Sequence, residues 1–384
     1  MIPIRILHLI TDLSTGGAEM SLFRLLGGID RTRFENRVIS LIPVGEIGVK
    51  IRALGIPVTS LGLRRGQFSL AALWSLVREL RNDRTEILQT WLYHADLLGW
   101  AATGLGGVKC LVWNIRSSDM DISQYKPLSG LVIRACALLS GRPQAVVVNS
   151  LAGQDIHIGL GYHPRRWVHI PNGVDLERYQ PDPDARRAVR AELDLPVDTI
   201  LIGMNARYDP MKNHSDFIQA AGQLIRSGLD VHFLLAGQDV NPGNRVLAEL
   251  IDQKNLTGRV HLLGRCEDIP RLDAALDILA MTSSFGEGFP NAVAEAMACG
   301  IPCAVTDVGD AAFLVGNTGM VVPRDAPGDM ADAWEALIKV GELERHRLGA
   351  AARRRVLENF SLSKAVASYE ELYSNLIGTD RKKV

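Results

Sequence analysis

The sequence predicts an α/β protein of two domains, each built on a doubly wound parallel sheet. Three observations carry that prediction. Short β-rich runs alternate with helical patterns along almost the whole chain, as strands and crossover helices of parallel sheets do. The alternation breaks once, at Pro171-Asn172-Gly173-Val174-Asp175, and then restarts. The length of 384 residues suits two domains of roughly 100–200 residues each.

In the first half the candidate strands are 4–10, 37–41, 58–61, 87–91, 110–114, 145–149 and 167–170, with helical segments between them such as 18–29 and 70–81. After the turn at 171–175, a stretch containing Pro181 and Pro183 reads as a linker. Strands of the second half fall at 200–205, 232–236, 260–263, 278–281, 303–306 and 320–322. Its helices fall at 214–227, 245–255, 291–299 and 330–340. The last segment, 363–376, is helical with no strand after it. Two such sheets place a ligand cleft between their strand C-termini.

Apolar residues make up 47% of the chain and charged residues 22%, enough for two packed cores in an ordinary soluble protein. The net charge of −1 gives no global attraction to nucleic acid. The apolar run 6–10 is too short for a signal sequence, and the weakly charged run 97–108 is short and carries four glycines. A cytoplasmic location is therefore expected, with any membrane contact confined to the surface. Five scattered cysteines argue against a disulfide framework. Cys299 and Cys303 lack a second pair to complete a zinc site and read as buried small hydrophobes.

The decisive segment runs from Ser284 through Phe285-Gly286-Glu287-Gly288-Phe289-Pro290-Asn291 to Glu295 and Ala298. It follows a predicted strand and opens a helix. Pro290 suits the first helical turn, where its missing N–H would have had no partner. Gly286 and Gly288 permit a tight turn and close approach of a ligand to the backbone. The unpaired N–H groups of the helix start, with the helix dipole, suit a diphosphate. Carboxylates are poor partners for phosphate, so Glu287 and Glu295 are expected to hold sugar hydroxyls.

The arrangement Glu-Gly-Phe-Pro-Asn…Glu, with seven residues between the acids, resembles the signature of the family-four retaining glycosyltransferases, the glycosyl transferases group 1. These have the GT-B fold, two Rossmann-like doubly wound parallel-sheet domains facing a central cleft. The resemblance implies an acceptor-binding domain at 1–174, a nucleotide-sugar donor domain at 175–358, and a terminal helix at 359–384 returning to the first domain. It also implies that Glu295 binds ribose and that Glu287 contacts the donor sugar as a catalytic residue. Gly288, Phe289, Pro290 and Asn291 would line the donor diphosphate.

Other segments extend the resemblance. Arg207 and Lys212, in Asn205-Ala206-Arg207-Tyr208-Asp209-Pro210-Met211-Lys212-Asn213, resemble the family's donor clamp; a planar fork and a point charge both suit a leaving diphosphate. Gly16 and Gly17, in Thr15-Gly16-Gly17, resemble its N-terminal glycine pair and lack the three-glycine spacing of dinucleotide binders. The run 170–175 matches its interdomain junction. Arg265 is the candidate for the base pocket, and Asp307 lies in a late loop. His94 and Arg116 each follow a first-half strand and are the further catalytic candidates. Many relatives carry a histidine in one of these two loops, and the Arg116 loop has none.

What the resemblance implies is transfer with retention, without a metal. The donor diphosphate leaves against Arg207, Lys212 and helix N–H groups, while the acceptor hydroxyl attacks from the same face. The expected co-substrate is a nucleotide-diphosphate-sugar, UDP-sugar ahead of GDP-sugar, with no cofactor. The expected acceptor is a glycan or lipid-linked sugar in bacterial surface polysaccharide synthesis. An epimerase or phosphorylase on the same scaffold, or a non-catalytic nucleotide-sugar-binding protein, are the alternatives. The segment 63–78 mixes Arg64, Arg65 and Arg78 with Phe68 and Trp74, as a helix facing a membrane would. Leu73, Leu76 and Val77 also fit a core stripe, the preferred reading; 128–139, with Arg134, reads the same two ways.

Overall fold

A computed structural model describes residues 2–14, 16–64, 66–116 and 127–381. Thr15, Arg65, Ser117 and Ser118 lie outside them. The chain forms two compact units, one of Met1–Gly173 with Leu362–Val384, the other of Val174–Ser361.

The first unit holds β1 (Ile4–Ile10), β2 (Phe34–Ser40), β3 (Val58–Ser60), β4 (Ile87–Trp91), β5 (Cys110–Ile115), β6 (Ala145–Val148) and β7 (Trp167–His169). They form one parallel sheet in the order β3-β2-β1-β4-β5-β6-β7. The second holds β8 (Ile200–Asn205), β9 (Val231–Ala236), β10 (Val260–Leu262), β11 (Ile278–Met281), β12 (Cys303–Thr306) and β13 (Met320–Val322). Its parallel order is β10-β9-β8-β11-β12-β13. Both sheets are Rossmann-like and doubly wound, so the fold class is α/β as the alternation predicts. In each, the strand order reverses once, at β1/β4 and at β8/β11. Crossovers on either side of such a point leave for opposite faces, and the loops at the strand C-termini part to form a crevice.

The central strands β4, β5, β11 and β12 are buried on both faces, which is why they read as short apolar runs. β2 begins at Phe34, three residues before the expected start: buried Phe34, Asn36 and Val38 alternate with exposed or half-buried Glu35 and Arg37, and the polar residues hide the strand. On one face of the first sheet, Leu76 and Val77 of the helix Leu70–Asn82 pack with Ile133 and Ala137 of the helix Pro127–Leu139. On the other, the helix Leu362–Arg381 contributes Tyr369, Leu372, Tyr373 and Ile377. Its seat is polar as well: Tyr373 donates to Gln89, Asn114 donates to the Tyr369 hydroxyl at 2.8 Å, and the Asp30 N–H donates to Glu370 at 2.8 Å. Gly173 lies so close that a Cβ there would meet Leu362 Cα at 2.5 Å.

The expected linker around Pro181 and Pro183 is a correction. Pro183 opens a helix, Pro183–Glu192, whose start is capped by Asp182 accepting from the Asp184 and Ala185 N–H groups. Proline at a first helical position gives up no hydrogen bond, so here it begins structure instead of interrupting it. Arg186 and Arg190 of this helix bind Asp277 at 2.8 and 2.7 Å, at the start of β11. The second unit is closed where the chain enters and leaves, by the Val174 N–H on the Phe360 carbonyl at 2.8 Å.

Candidate functional site

The segments singled out in the second half of the sequence flank the β8/β11 switch point. The loop after β8 carries Arg207 and Lys212; the loop after β11 carries Glu287 and leads into the helix Asn291–Ala298. Hydrogen bonds stitch the two loops together. Thr282 Oγ1 donates to the Lys212 and Asn213 carbonyls, both at 3.1 Å, and the Ser284 N–H donates to Met211 O at 3.0 Å.

That stitching brings Lys212 Nζ to 2.5 Å from Glu287 Oε1, which also accepts from Ser283 Oγ at 2.6 Å. Glu287 is only 7% exposed. A buried carboxylate needs such partners, and this one has a cation and a hydroxyl. Lys212 and Glu287, which lie in separate motifs of the sequence, form one ion pair. Arg207 pairs with Asp209 at 3.0 Å, and its side chain is 56% exposed. Burial works against the Asp209 charge, but the Met211 N–H and Arg207 hold its pKa below the usual carboxylate value.

Two glycines shape the Glu287 loop. Gly286 has φ +77°, and a Cβ there would meet Met211 Sδ at 2.2 Å. Gly309 has φ +60°, and a Cβ there would lie 2.2 Å from the Glu287 carbonyl oxygen. Behind the loop, the Asp310 N–H donates to Gly288 O at 2.9 Å and Thr306 Oγ1 to Ser283 O at 2.7 Å. Phe289 is buried against Phe360. Pro290 is the N-cap residue, one position earlier than expected, and offers the helix no side-chain cap. The helix start presents its positive dipole end, which favours an anion.

Glu295 sits one turn into this helix and is largely buried. Nearby is Asp273, which the sequence reading missed. Burial, and then the Glu295 charge, push its pKa well above the usual range, against a 2.5 Å hydrogen bond from Asn205 Nδ2. Asp273 gives no signal in sequence, lying 22 residues from Glu295 in a short helix, Ile269–Ala275. Ser283 and Asp209 were likewise missed as partners, although both lie in or beside the quoted motifs. Arg265 is exposed in the loop after β10, and Asp307 is exposed with its N–H on Val322 O.

The remaining predicted residues belong to the first unit. Gly16 is the N-cap of the helix Gly17–Gly28, and a Cβ on it would meet the Glu19 carboxylate at 2.3 Å; a Cβ on Gly17 would meet nothing within 4 Å. These glycines follow β1 and so border the β1/β4 switch point. His94 borders it from β4, in the first turn of the helix Tyr93–Gly106. The turn into this helix holds Leu92 at φ +72°, ψ 152°, a region that L-residues rarely adopt. Burial lowers the His94 pKa, favouring the neutral imidazole. Arg116 follows β5 and is held by Asn172, by the Tyr369 hydroxyl at 2.7 Å, and over the Trp91 ring at 5.0 Å.

Among the described residues no group of three or more His, Cys, Asp or Glu is placed to hold a metal ion, and no helix is long and apolar enough to cross a membrane. Cys299 and Cys303 are free and buried.

Two family models match this chain. One, described as Glycosyltransferase Family 4, matches residues 15–178; the other, Glycosyl transferases group 1, matches 199–339. A similar protein is the Escherichia coli UDP-Gal:alpha-D-GlcNAc-diphosphoundecaprenol alpha-1,3-galactosyltransferase, 25% identical over 386 residues, covering 94% of this chain and 97% of that one. Similar solved structures include Anabaena Alr3699/HepE in complex with UDP, with TM-score 0.84 and 23% identity over 97% of this chain and 100% of that one. HepE is also known in complex with UDP-glucose, TM-score 0.80. A glycosyltransferase from Rickettsia africae ESF-5 gives TM-score 0.84 at 18% identity, covering 98% of this chain and 99% of that one.

Proposed function

We propose that this chain, which belongs to the glycosyltransferases of the family-four and group 1 type, moves a sugar from a UDP-sugar to a hydroxyl of a lipid-linked or glycan acceptor, with retention of anomeric configuration. The observation that carries the reading is the Lys212–Glu287 pair beside an uncapped helix start, at the switch point of the second sheet. A diphosphate seated there meets N–H groups, the dipole of Asn291–Ala298, and the cations Lys212 and Arg207. As the glycosidic bond breaks, charge grows on the leaving phosphate, and these groups stabilise it. Glu287 takes the donor sugar's hydroxyls and Glu295 the ribose.

In this reading the acceptor hydroxyl attacks from the face the diphosphate leaves, and its proton passes to a phosphate oxygen. No metal is required, because cations and helix N–H groups do the neutralising. Gly16 and Gly17 approach the donor phosphate, His94 and Arg116 serve the sugar or acceptor, and Arg265 borders the base. Support for the nucleotide comes from HepE, solved with UDP and with UDP-glucose. Support for a lipid-linked acceptor comes from the E. coli relative, named for a diphosphoundecaprenol acceptor. A role in surface polysaccharide synthesis, at the inner face of the membrane, follows from such an acceptor.

A thermal-shift panel of nucleotide sugars, followed by transfer assays with the stabilising donor, tests the proposal. The expected outcome is stabilisation by a UDP-sugar and transfer to a lipid-linked glycan. Donor binding without transfer to any acceptor would point to a binding protein. Conversion of the donor sugar without an acceptor would point to an epimerase, and phosphate-dependent turnover to a phosphorylase.

A further inference from the structure

We propose that one helical face of the first unit is a docking surface for an anionic lipid bilayer. The inference rests on the reading that the acceptor is lipid-linked, and deepens it by assigning the surface that meets the membrane.

The helix Leu70–Asn82 is two-sided. Ala72, Leu76, Val77 and Leu80 are buried, while Leu70, Trp74, Arg78 and Arg81 form an outward row at helical spacing. Leu70 is 65% exposed and Trp74 59%. Phe68, just before the helix, is 67% exposed. The helix Pro127–Leu139 repeats the pattern. Ile133, Cys136 and Ala137 are buried, and Leu131, Arg134 and Leu138 face outward, with Leu131 64% and Leu138 81% exposed. Both helices pack on the same face of the sheet, on either side of Tyr93–Gly106, whose last turn exposes Leu105. The core accounts for the inner rows only. Neither core packing nor solubility calls for large apolar residues in the outer rows, where a solvent-facing helix would carry polar side chains.

Charge decides what meets them. The whole chain is balanced at −1, yet every exposed charged side chain among the described residues from 61 to 142 is basic. Arg64, Arg78, Arg134 and Arg142 have no carboxylate partner among the described residues. Leucine and tryptophan alternating with unpaired arginine suit a bilayer interface. The guanidinium groups reach headgroup phosphates while the apolar side chains enter the acyl boundary. Seated this way, the unit would work at the leaflet in which a lipid-linked acceptor is anchored.

Co-sedimentation of the full chain with phosphatidylcholine vesicles, with and without phosphatidylglycerol, tests this. The expected result is binding to the anionic vesicles that weakens with added salt and is far weaker on neutral ones. The double variants Arg78→Glu/Arg134→Glu and Phe68→Ser/Trp74→Ser change only exposed side chains. Each arginine lost is expected to lower the partition coefficient about fivefold, so the charge-reversed pair falls at least about twentyfold. Transfer to a water-soluble acceptor analogue should stay at the wild-type rate in both variants. Failure of wild type to bind anionic vesicles, or binding that both double variants retain, overturns the surface while leaving the transferase reading intact. A concentration-dependent dimer in light scattering, abolished by Phe68→Ser/Trp74→Ser and unaffected by vesicles, also overturns it by assigning the face to a second copy. Loss of transfer to every acceptor in wild type would instead sink the functional reading.

Discussion

Lys212 and Glu287 stand 75 residues apart in sequence and 2.5 Å apart in space, joined because β8 and β11 are neighbours at the point where the sheet order reverses. The pair gives the proposed donor site two properties at once. The ammonium is held in place before any phosphate arrives, and the buried carboxylate already has a cation and a hydroxyl beside it. A site preorganised in this way loses less on binding than one that must assemble around its ligand.

The Glu287 loop depends on a neighbour that contributes no side chain. Gly309→Ala would place a Cβ against the Glu287 carbonyl in a left-handed backbone conformation. Such crowding costs about 1–3 kcal/mol. Donor affinity and melting temperature are both expected to fall. Gly104→Ala, where a Cβ meets nothing within 4 Å of an exposed helical glycine, is the control and should be neutral or slightly stabilising. Equal melting temperatures and donor affinities for the two variants would refute the role given to Gly309.

Asp277 holds the helix Pro183–Glu192 on the second sheet. It accepts from Arg186 and Arg190 and from the Leu201 N–H at 2.8 Å. Arg190 is fully buried, so Asp277→Ala leaves an uncompensated charge inside the unit. Urea unfolding should show a loss of about 3–5 kcal/mol. A loss below about 1 kcal/mol would mean that the pair behaves as an exposed one.

His8 makes the first unit sensitive to acid. Burial lowers its pKa from 6.5 to about 4, against the raising effect of its hydrogen bond with Asn36, and its Nδ1 accepts from Trp91 Nε1 at 3.3 Å. The folded pKa lies below the unfolded one. The corresponding stability is therefore fully present above pH 6.5 and is lost as the pH falls towards 4, about 3 kcal/mol in all. The buried carboxyls Asp96 and Asp273 have raised pKa values and act in the opposite sense. The difference between wild type and His8→Gln isolates the His8 contribution. It should shrink steadily between pH 6.5 and 4, and a difference that stays constant with pH would exclude this origin.

What sequence reading reached, and what it missed, follows from how far each signal travels along the chain. Ile200–Asn205, Ile278–Met281 and Cys303–Thr306 were found to the residue, because a strand covered on both faces is a short apolar run between turns. The helix Glu342–Asn359 went unread. Its buried row is Arg345, Gly349, Ala352 and Val356, too small and too polar to show a periodic apolar stripe. Pro183 misled because proline marks a break and a helix start alike. At the site, the motif around Glu287 was legible from its glycines and acids. Its ion pair with Lys212, and the Asn205–Asp273 pair near Glu295, needed the strand order, which local pattern does not fix.

The most direct test of the donor site is Glu287→Gln, measured for UDP-sugar affinity and for transfer rate on one preparation. Removing the charge while keeping the shape should leave affinity within a few fold and lower the transfer rate about 10²–10³-fold. Lys212→Ala should behave differently, weakening UDP binding itself. Transfer by Glu287→Gln at the wild-type rate, or unaltered UDP binding in Lys212→Ala, would contradict the account.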